Sequence, residues 1–221
     1  MTVQARLLDV YRRLDAMHAW RGWHWWPDGD PFEVIVGAIL VQNTSWTNVE
    51  RALDRLRAAG ALDLAAMAAL DDVELSELIR PSGQYLTKTR KLREFIALAQ
   101  RHGGLESLLA LAPAALRREL LATWGIGPET ADAIVLYAAK QPAFVIDAYT
   151  RRVHTRLALG PTSTSDYATW QSFFTANLPA DRDLYARYHA LIVLHCKHLC
   201  LKRKPRCNEC TLASICSLGS Q

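Results

Sequence analysis

The chain has 221 residues and a formal net charge of +4 at neutral pH, which is enough length for one large domain or two small ones with a proper apolar core. No apolar run is long enough to span a membrane, and the first residues alternate apolar and charged side chains unlike the apolar segment of a signal peptide. We therefore expect an intracellular protein without a membrane anchor, whose mild basicity suits nucleic-acid binding without requiring it.

The first quarter of the chain predicts two helices separated by a tryptophan-rich segment. Residues 2–18 have the spacing of an amphipathic helix, and four of the seven tryptophans follow within WRGWHWW. Asp30, Pro31 and Glu33 indicate a helix start, with Asp30 as the cap and Glu33 reaching back to it. The helix beginning there is apolar almost all round, so we expect it in a core, ending at the polar segment QNTS before Trp46.

Helical patterns also cover most of the rest of the chain. They are predicted at 46–59, in two short helices across 63–80, at 85–101, in a short helix after Gly103-Gly104, and at about 165–177 and 182–195. No segment shows the alternation of a β-strand. The sequence therefore predicts an all-α fold.

Residues 121–153 contain two amphipathic segments joined by Gly125-Ile126-Gly127. Both glycines can adopt positive φ and allow close approach of another molecule, and Pro128 suits the first position of a helix. The free N–H groups of such a turn can hold a phosphate. Taken alone, however, the turn is more typical of an ordinary αα-hairpin. The acid that follows, Asp147, is expected to cap the next helix.

All five cysteines lie within 21 residues near the C-terminus, which favours a metal site over a disulfide framework. Four of them have the spacing C-x6-C-x2-C-x5-C, namely Cys200, Cys207, Cys210 and Cys216. Four thiolates in this pattern can hold zinc or an iron–sulfur cluster. Cys196 falls outside the pattern and is predicted to be a small buried thiol.

The glycine turn, the acid about twenty residues later and the four-cysteine array together resemble the endonuclease III superfamily of helix-hairpin-helix (HhH-GPD) DNA glycosylases, over nearly the whole chain. The resemblance implies an all-α fold with two helical domains flanking a DNA-binding cleft. A six-helix block carrying the hairpin would span 28–135, and residues 1–27 plus 136–221 would form a terminal domain with the cluster loop.

The resemblance also implies the ligands and DNA contacts. The four spaced cysteines would hold a structural 4Fe–4S cluster in preference to zinc. Gly125 and Gly127 would approach the DNA backbone, as would the basic residues of the cluster loop, Lys202, Arg203, Lys204 and Arg206. Lys88, after Ser82-Gly83, is a further candidate for a phosphate contact, although a solvated helix face explains it equally well.

Asp147 matches the catalytic aspartate of the superfamily. Removing a base from deoxyribose builds positive charge on the sugar, which a fixed carboxylate stabilises while it orients the attacking water. Bifunctional relatives carry a lysine two residues past the second glycine of the turn, where this chain has Glu129. A carboxylate cannot form the Schiff base of the strand-cutting lyase step, so we predict a monofunctional glycosylase.

The base pocket is predicted from aromatic residues. The segments W-W-P, V-Q-N-T-S-W and R-P-S-G resemble the 3-methyladenine glycosylase-like subgroup. Trp25 and Trp46 would sandwich the flipped base, and Gln42 would fill the gap it leaves. Cationic alkylated purines stack well between electron-rich rings. For both tryptophans, core packing is the alternative role.

The resulting hypothesis is a DNA glycosylase of base excision repair that acts on double-stranded DNA containing a damaged base, favouring alkylated purines such as 3-methyladenine. Oxidised or mismatched pyrimidines are the alternative substrates, and a non-catalytic damaged-DNA-binding protein is the alternative function. We expect a cytoplasmic, nucleoid-associated monomer. His189 is expected to be a structural histidine.

Overall fold

The structure, a computed structural model, describes residues 1–18 and 29–219. The chain forms two compact units, one from residues 1–25 and 142–221 and the other from residues 26–141. The folding domains predicted from the sequence, 28–135 and 1–27 plus 136–221, stay a prediction. Trp25 lies outside the described residues.

Every regular element in the described part of the chain is helical, which confirms the all-α prediction. The helices are α1 (Val3–His18), α2 (Pro31–Leu40), α3 (Trp46–Ala58), α4 (Leu64–Ala69), α5 (Asp72–Ile79), α6 (Tyr85–Arg101), α7 (Leu105–Leu109), α8 (Pro113–Ala122), α9 (Pro128–Ala133), α10 (Ala148–Arg156), α11 (Tyr167–Asn177) and α12 (Arg182–His198). A π-helical segment, Ile134–Ala138, continues α9, and short 3₁₀ turns occupy Arg80–Ser82, Cys207–Glu209 and Ala213–Ile215. None of the described helices is both long enough and apolar enough to cross a membrane.

Helix α2 is the core helix of the unit formed by residues 26–141. The carboxylate of Asp30 caps it by accepting from the backbone N–H groups of Phe32 and Glu33, at 2.8 and 3.3 Å. Its residues from Val34 to Leu40 are buried, as its apolar composition predicts, against α3, α6, α9 and the π-helical segment. The predicted return bond from Glu33 is wrong, because that carboxylate pairs with Arg57 of α3 at 2.9 Å.

Helix α12 is the central helix of the other unit. It packs against α1 and α10, and most of its side chains are buried. An aromatic cluster fills the adjoining core, where the rings of Phe144 and Phe174 stack with centroids 4.1 Å apart and Tyr185 and Tyr188 meet Phe144 edge-on. This packing fixes the side chains of α12 relative to the start of α10.

Candidate functional site

The predicted hairpin forms between α8 and α9, which pack against each other. Arg117 on α8 binds Asp132 on α9 through two bonds, from Nε at 2.7 Å and from Nη2 at 3.1 Å. Asp132 is fully buried, so this ion pair is shielded from water on the carboxylate side. The two arms of the hairpin are therefore locked together behind the turn.

The two glycines of the turn differ in backbone conformation and in the space available for a side chain. Gly125 has φ +83°, and a Cβ on it would lie 2.5 Å from Cγ of Lys91, so this position requires glycine. Gly127 has φ −90° and is the extended residue capping α9, with open space where a Cβ would lie. Of the two glycines that can adopt positive φ, only Gly125 does so. Pro128 is the first residue of α9, as predicted.

Gln42 joins the segment after α2 to the hairpin turn. Its Nε2 donates to the carbonyl of Gly125 at 3.2 Å and to Oγ1 of Thr130 at 2.9 Å, while its Oε1 accepts from Nζ of Lys91. The side chain is half-buried, and both α6 and the hairpin turn contact it. No sequence pattern indicated Lys91 as a member of this group.

Lys88 does not occupy the place expected of a phosphate-binding residue. Its side chain is buried, and its ammonium donates to the carbonyls of Leu40 at 2.8 Å and Ser82 at 2.6 Å. Burial, with a smaller effect from Lys91, lowers the pKa of Lys88 to about 8. The predicted DNA contact of Lys88 is contradicted by this placement, because the amine already joins α6 to the ends of α2 and the 3₁₀ turn.

Two other predicted residues lie in the same unit. Trp46 is half-buried at the first position of α3, and Glu129 is exposed at the second position of α9. Trp124, in the hairpin turn, is exposed by 43 %, and the guanidinium of Arg90 lies 3.8 Å from its ring centroid. The predicted roles of Trp46 in base binding and of Glu129 in place of the lyase lysine stay predictions.

Asp147 caps α10, as predicted. Its Oδ1 accepts from the backbone N–H of Thr150 at 2.6 Å, and its Oδ2 lies 3.4 Å from Nε2 of His189 on α12. Burial would raise the pKa of Asp147, but the contacts with His189 and Thr150 outweigh burial and lower it. The carboxyl group is therefore held ionised although it is nearly buried, which is the state that can stabilise a developing positive charge.

The four spaced cysteines line one solvent-open cavity in the C-terminal loop. Apolar side chains of α10 and the loop, with Arg156 and His195, complete its walls. Among the described residues, no three His, Cys, Asp or Glu side chains converge closely enough to bind a single metal ion. The thiols thus surround a shared volume without meeting at one point.

Basic side chains of the helices contact two of these sulfurs. Nη1 of Arg156 lies 3.1 Å from Sγ of Cys200, and Nε2 of His195 lies 3.6 Å from Sγ of Cys210. A hydrogen bond from Cys196 and the guanidinium of Arg156 lower the pKa of Cys200 against the effect of burial, which favours its thiolate. Cys196 itself is buried, as predicted. Sequence patterns gave no signal for Arg156 or His195.

The loop between the first two cysteines carries four basic residues whose side chains are exposed: Lys202, Arg203, Lys204 and Arg206. Arg156 supports this loop from α10 by donating to the carbonyls of Leu201 at 2.9 Å and Lys202 at 3.2 Å. The loop therefore presents positive charge to solvent, and its backbone is bonded both to Arg156 and, from Arg206, to the carbonyl of Leu199 at 2.9 Å.

Comparisons with known proteins place these features in one family. The profile of the HhH-GPD superfamily of base excision DNA repair proteins matches residues 36–173. A protein of Methanocaldococcus jannaschii with a provisional assignment as a DNA repair glycosylase is 41% identical over 196 residues, covering 87% of this chain and 88% of its own length.

Solved structures agree on the fold. The 3-methyladenine DNA glycosylase of Helicobacter pylori, bound to 1,N6-ethenoadenine, is 27% identical with a TM-score of 0.74, over 86% of this chain and 97% of the other. A non-covalent complex of endonuclease III with DNA gives a TM-score of 0.81 at 21% identity, over 100% of this chain and 98% of the other. On the matched profile and the similarity to the M. jannaschii protein, the chain belongs to the HhH-GPD superfamily of base excision DNA repair proteins.

Proposed function

We propose that this family member is a monofunctional DNA glycosylase that hydrolyses the N-glycosidic bond of a damaged base in double-stranded DNA, with alkylated purines such as 3-methyladenine as its substrates. The observation that carries the proposal is Asp147, a nearly buried carboxylate kept ionised at the start of α10 by Thr150 and His189. A protein that only binds damaged DNA has no need of a charge held in this way.

The chemistry assigns one task to Asp147. When the bond between C1′ and the base nitrogen breaks, the electron pair leaves with the base and positive charge develops on the sugar. The carboxylate of Asp147 stabilises that charge and orients a water molecule, whose oxygen then bonds to C1′ as its proton is released. The products are a free base and an abasic site.

Glu129 limits the reaction to hydrolysis. A lyase step needs an amine that attacks C1′ and forms a Schiff base, and a carboxylate at the second position of α9 cannot do so. The backbone of the abasic product should therefore remain intact until it is treated with alkali.

Alkylated purines are favoured by two observations. The H. pylori 3-methyladenine glycosylase resembles this chain over nearly its whole length. The tryptophan-rich segment and Trp46 also supply electron-rich rings, which suit a base that already carries positive charge. Such a base leaves with little acid catalysis, so a site with one carboxylate is sufficient.

The hairpin and the cluster loop are proposed to bind the DNA backbone. Gly125 shapes the turn so that its backbone and that of Gly127 can approach a phosphate. The exposed charges of Lys202, Arg203, Lys204 and Arg206 would neutralise further phosphates and make affinity strongly dependent on salt. We expect the protein to act in this way as a monomer on cytoplasmic, nucleoid-associated DNA.

Two features of the C-terminal loop support a 4Fe–4S cluster as the group that the cysteines hold. Their spacing is that of the cluster loop in endonuclease III-like enzymes, and all four thiols line the same cavity. We propose that Cys200, Cys207, Cys210 and Cys216 hold the cluster, which would serve to fold the basic loop. Purified protein should contain about four iron atoms per chain; Cys210→Ser should lose them, and the control Cys196→Ala should keep them.

Defined duplexes test substrate and reaction type together. Separate duplexes would carry 1,N6-ethenoadenine, thymine glycol, uracil or a T·G mismatch, and strand breaks would be measured with and without hot alkali. The proposal predicts breaks at the alkylated purine only after alkali, and no trapping of protein on DNA by borohydride. In the variant Glu129→Lys we look for trapping as a gain of function, with Glu119→Lys on α8 as the control.

Other outcomes would change the assignment. Breaks at thymine glycol or a mismatched pyrimidine would leave the role of Asp147 unchanged. They would indicate an endonuclease III-like substrate range in place of alkylated purines. Binding to every damaged duplex without base release would identify a non-catalytic binder. Breaks without alkali in the parent protein would contradict the role given to Glu129.

A further inference from the structure

Each oxygen of the Asp147 carboxylate is held by a different element. Oδ1 accepts from the backbone N–H of Thr150 within the first turn of α10, at 2.6 Å. Oδ2 lies 3.4 Å from Nε2 of His189, which comes from the middle of α12. The side chains of Asp147 and His189 are exposed by only 12% and 8%, so the contact is largely shielded from water. The local cap therefore fixes one oxygen, and a tertiary contact fixes the other.

The His189 contact has a definite polarity. A carboxylate offers only acceptors, so Nε2 of His189 stabilises Oδ2 in the form in which that nitrogen carries a hydrogen. In a water-poor setting, the charged form of a carboxyl is disfavoured unless such donors surround it. The pKa of Asp147 is nevertheless lowered, and after the opposing effect of burial His189 is the largest cause.

The neighbouring titratable groups cannot replace His189. Tyr149 and His154 also interact electrostatically with Asp147. Burial and the carboxylate raise the pKa of Tyr149, so it is neutral at physiological pH. Burial lowers the pKa of His154 to about 4, and its two ring nitrogens face the carbonyl of Thr150 and the hydroxyl of Tyr188. His189 is thus the side chain that points a ring nitrogen at the free oxygen of the carboxylate.

We propose that His189 is a positioning residue for base removal, which keeps Asp147 ionised and holds its Oδ2 in a fixed direction. The inference rests on the proposed glycosylase function and adds a second residue to its chemistry. His189 acts through Asp147 and needs no contact with DNA. Its loss should therefore reduce the rate of the chemical step and leave the affinity for DNA unchanged.

A carboxyl titration tests the coupling without any enzymatic assay. The carboxyl carbon of Asp147 would be followed by NMR in the DNA-free protein, and assigned by its absence from Asp147→Asn. In the parent protein it should titrate below 3.8, the ordinary value, and in His189→Ala it should titrate at a higher pH than in the parent. His189→Gln, whose amide can still donate to Oδ2, should restore most of the lowering. His102→Gln, in the other unit, is the control.

Single-turnover base release supplies the second readout. Its rate in His189→Ala should fall more at pH 5 than at pH 7.5, because a higher pKa of Asp147 reduces the ionised fraction of the carboxyl at the lower pH first. His189→Gln should recover the parent's pH profile.

Several results would overturn the inference. It fails if His189→Ala is folded and keeps both the carboxyl titration and the pH profile of the parent. If His189→Ala does not fold, the parent protein still provides a test, because a pKa of Asp147 at or above 3.8 in the parent would contradict the coupling. Failure of the glycosylase function is a separate result, namely no base release by the parent while the carboxyl titration still shows the effect of His189.

Discussion

Helices α10 and α11 begin with the same local capping motif, but the two caps differ in burial and in their tertiary contacts. Each has Asp at the cap and Thr three residues later, and the carboxylate accepts from the threonine N–H at 2.6 Å for Asp147 and 2.7 Å for Asp166. Asp166 and Thr169 are exposed, whereas Thr150 is fully buried and Asp147 faces His189. Capping therefore depends only on neighbouring residues. A carboxylate that could stabilise positive charge in base removal also needs burial and a donor from a distant helix.

The largest expected difference between substitutions at the two caps is in the rate of base release. Asn caps helices about as well as Asp, so Asp147→Asn and Asp166→Asn should both fold like the parent. Asp147→Asn loses the charge that stabilises the sugar, and we expect single-turnover base release to fall by about 10²- to 10⁴-fold. Asp166→Asn should keep the parent rate. Equal rates in both variants would remove the distinction between a cap and a catalytic carboxylate.

A difference in stability should follow when the caps are removed. Asp147→Ala leaves the N–H of Thr150 without a partner in a buried position, which costs about 1–3 kcal/mol of unfolding free energy. Water can replace the carboxylate at the exposed N–H of Thr169, so Asp166→Ala should destabilise less. Urea unfolding of the two variants checks this order, and a larger loss for Asp166→Ala would contradict it.

The smallest effect concerns acid stability. The pKa values of Asp147 and Asp166 are both lowered in the folded protein, from 3.8. Each therefore contributes stability that is present above pH 3.8 and is lost as the pH falls through the lowered folded value. Replacing Asp147 by Asn should flatten the fall in stability below pH 4, and the same change at Asp166 should do so less because solvent screens its interactions. A steeper fall in Asp147→Asn, followed by circular dichroism against pH, would contradict this.

The parts of the molecule predicted from sequence are those set by neighbouring residues. Asp30 and Asp147 were expected to cap helices and do so, and α6 spans the predicted Tyr85–Arg101. Pro128 begins α9 for the same reason, since the preferences of a helix start depend on a few consecutive residues. The cysteine spacing likewise indicated one loop, and its four thiols line one cavity.

The errors arose where distant segments decide the role of a residue. Lys88 has the spacing of an exposed helix face, yet the carbonyls of Leu40 and Ser82 bind its ammonium in the core. The contact of His189 with Asp147 could not be read from the sequence either, because the two residues lie more than forty positions apart. Such contacts are created by tertiary packing, so no local pattern reports them.

Identifying the bases released from alkylated genomic DNA would test the central claim most directly. Parent protein and Asp147→Asn would be incubated with the same DNA, and the free bases would be measured by mass spectrometry. Our account predicts that the parent releases 3-methyladenine and that Asp147→Asn binds the DNA but releases almost none. Equal release by both proteins, or no release by a parent that binds the DNA, would contradict hydrolysis through Asp147.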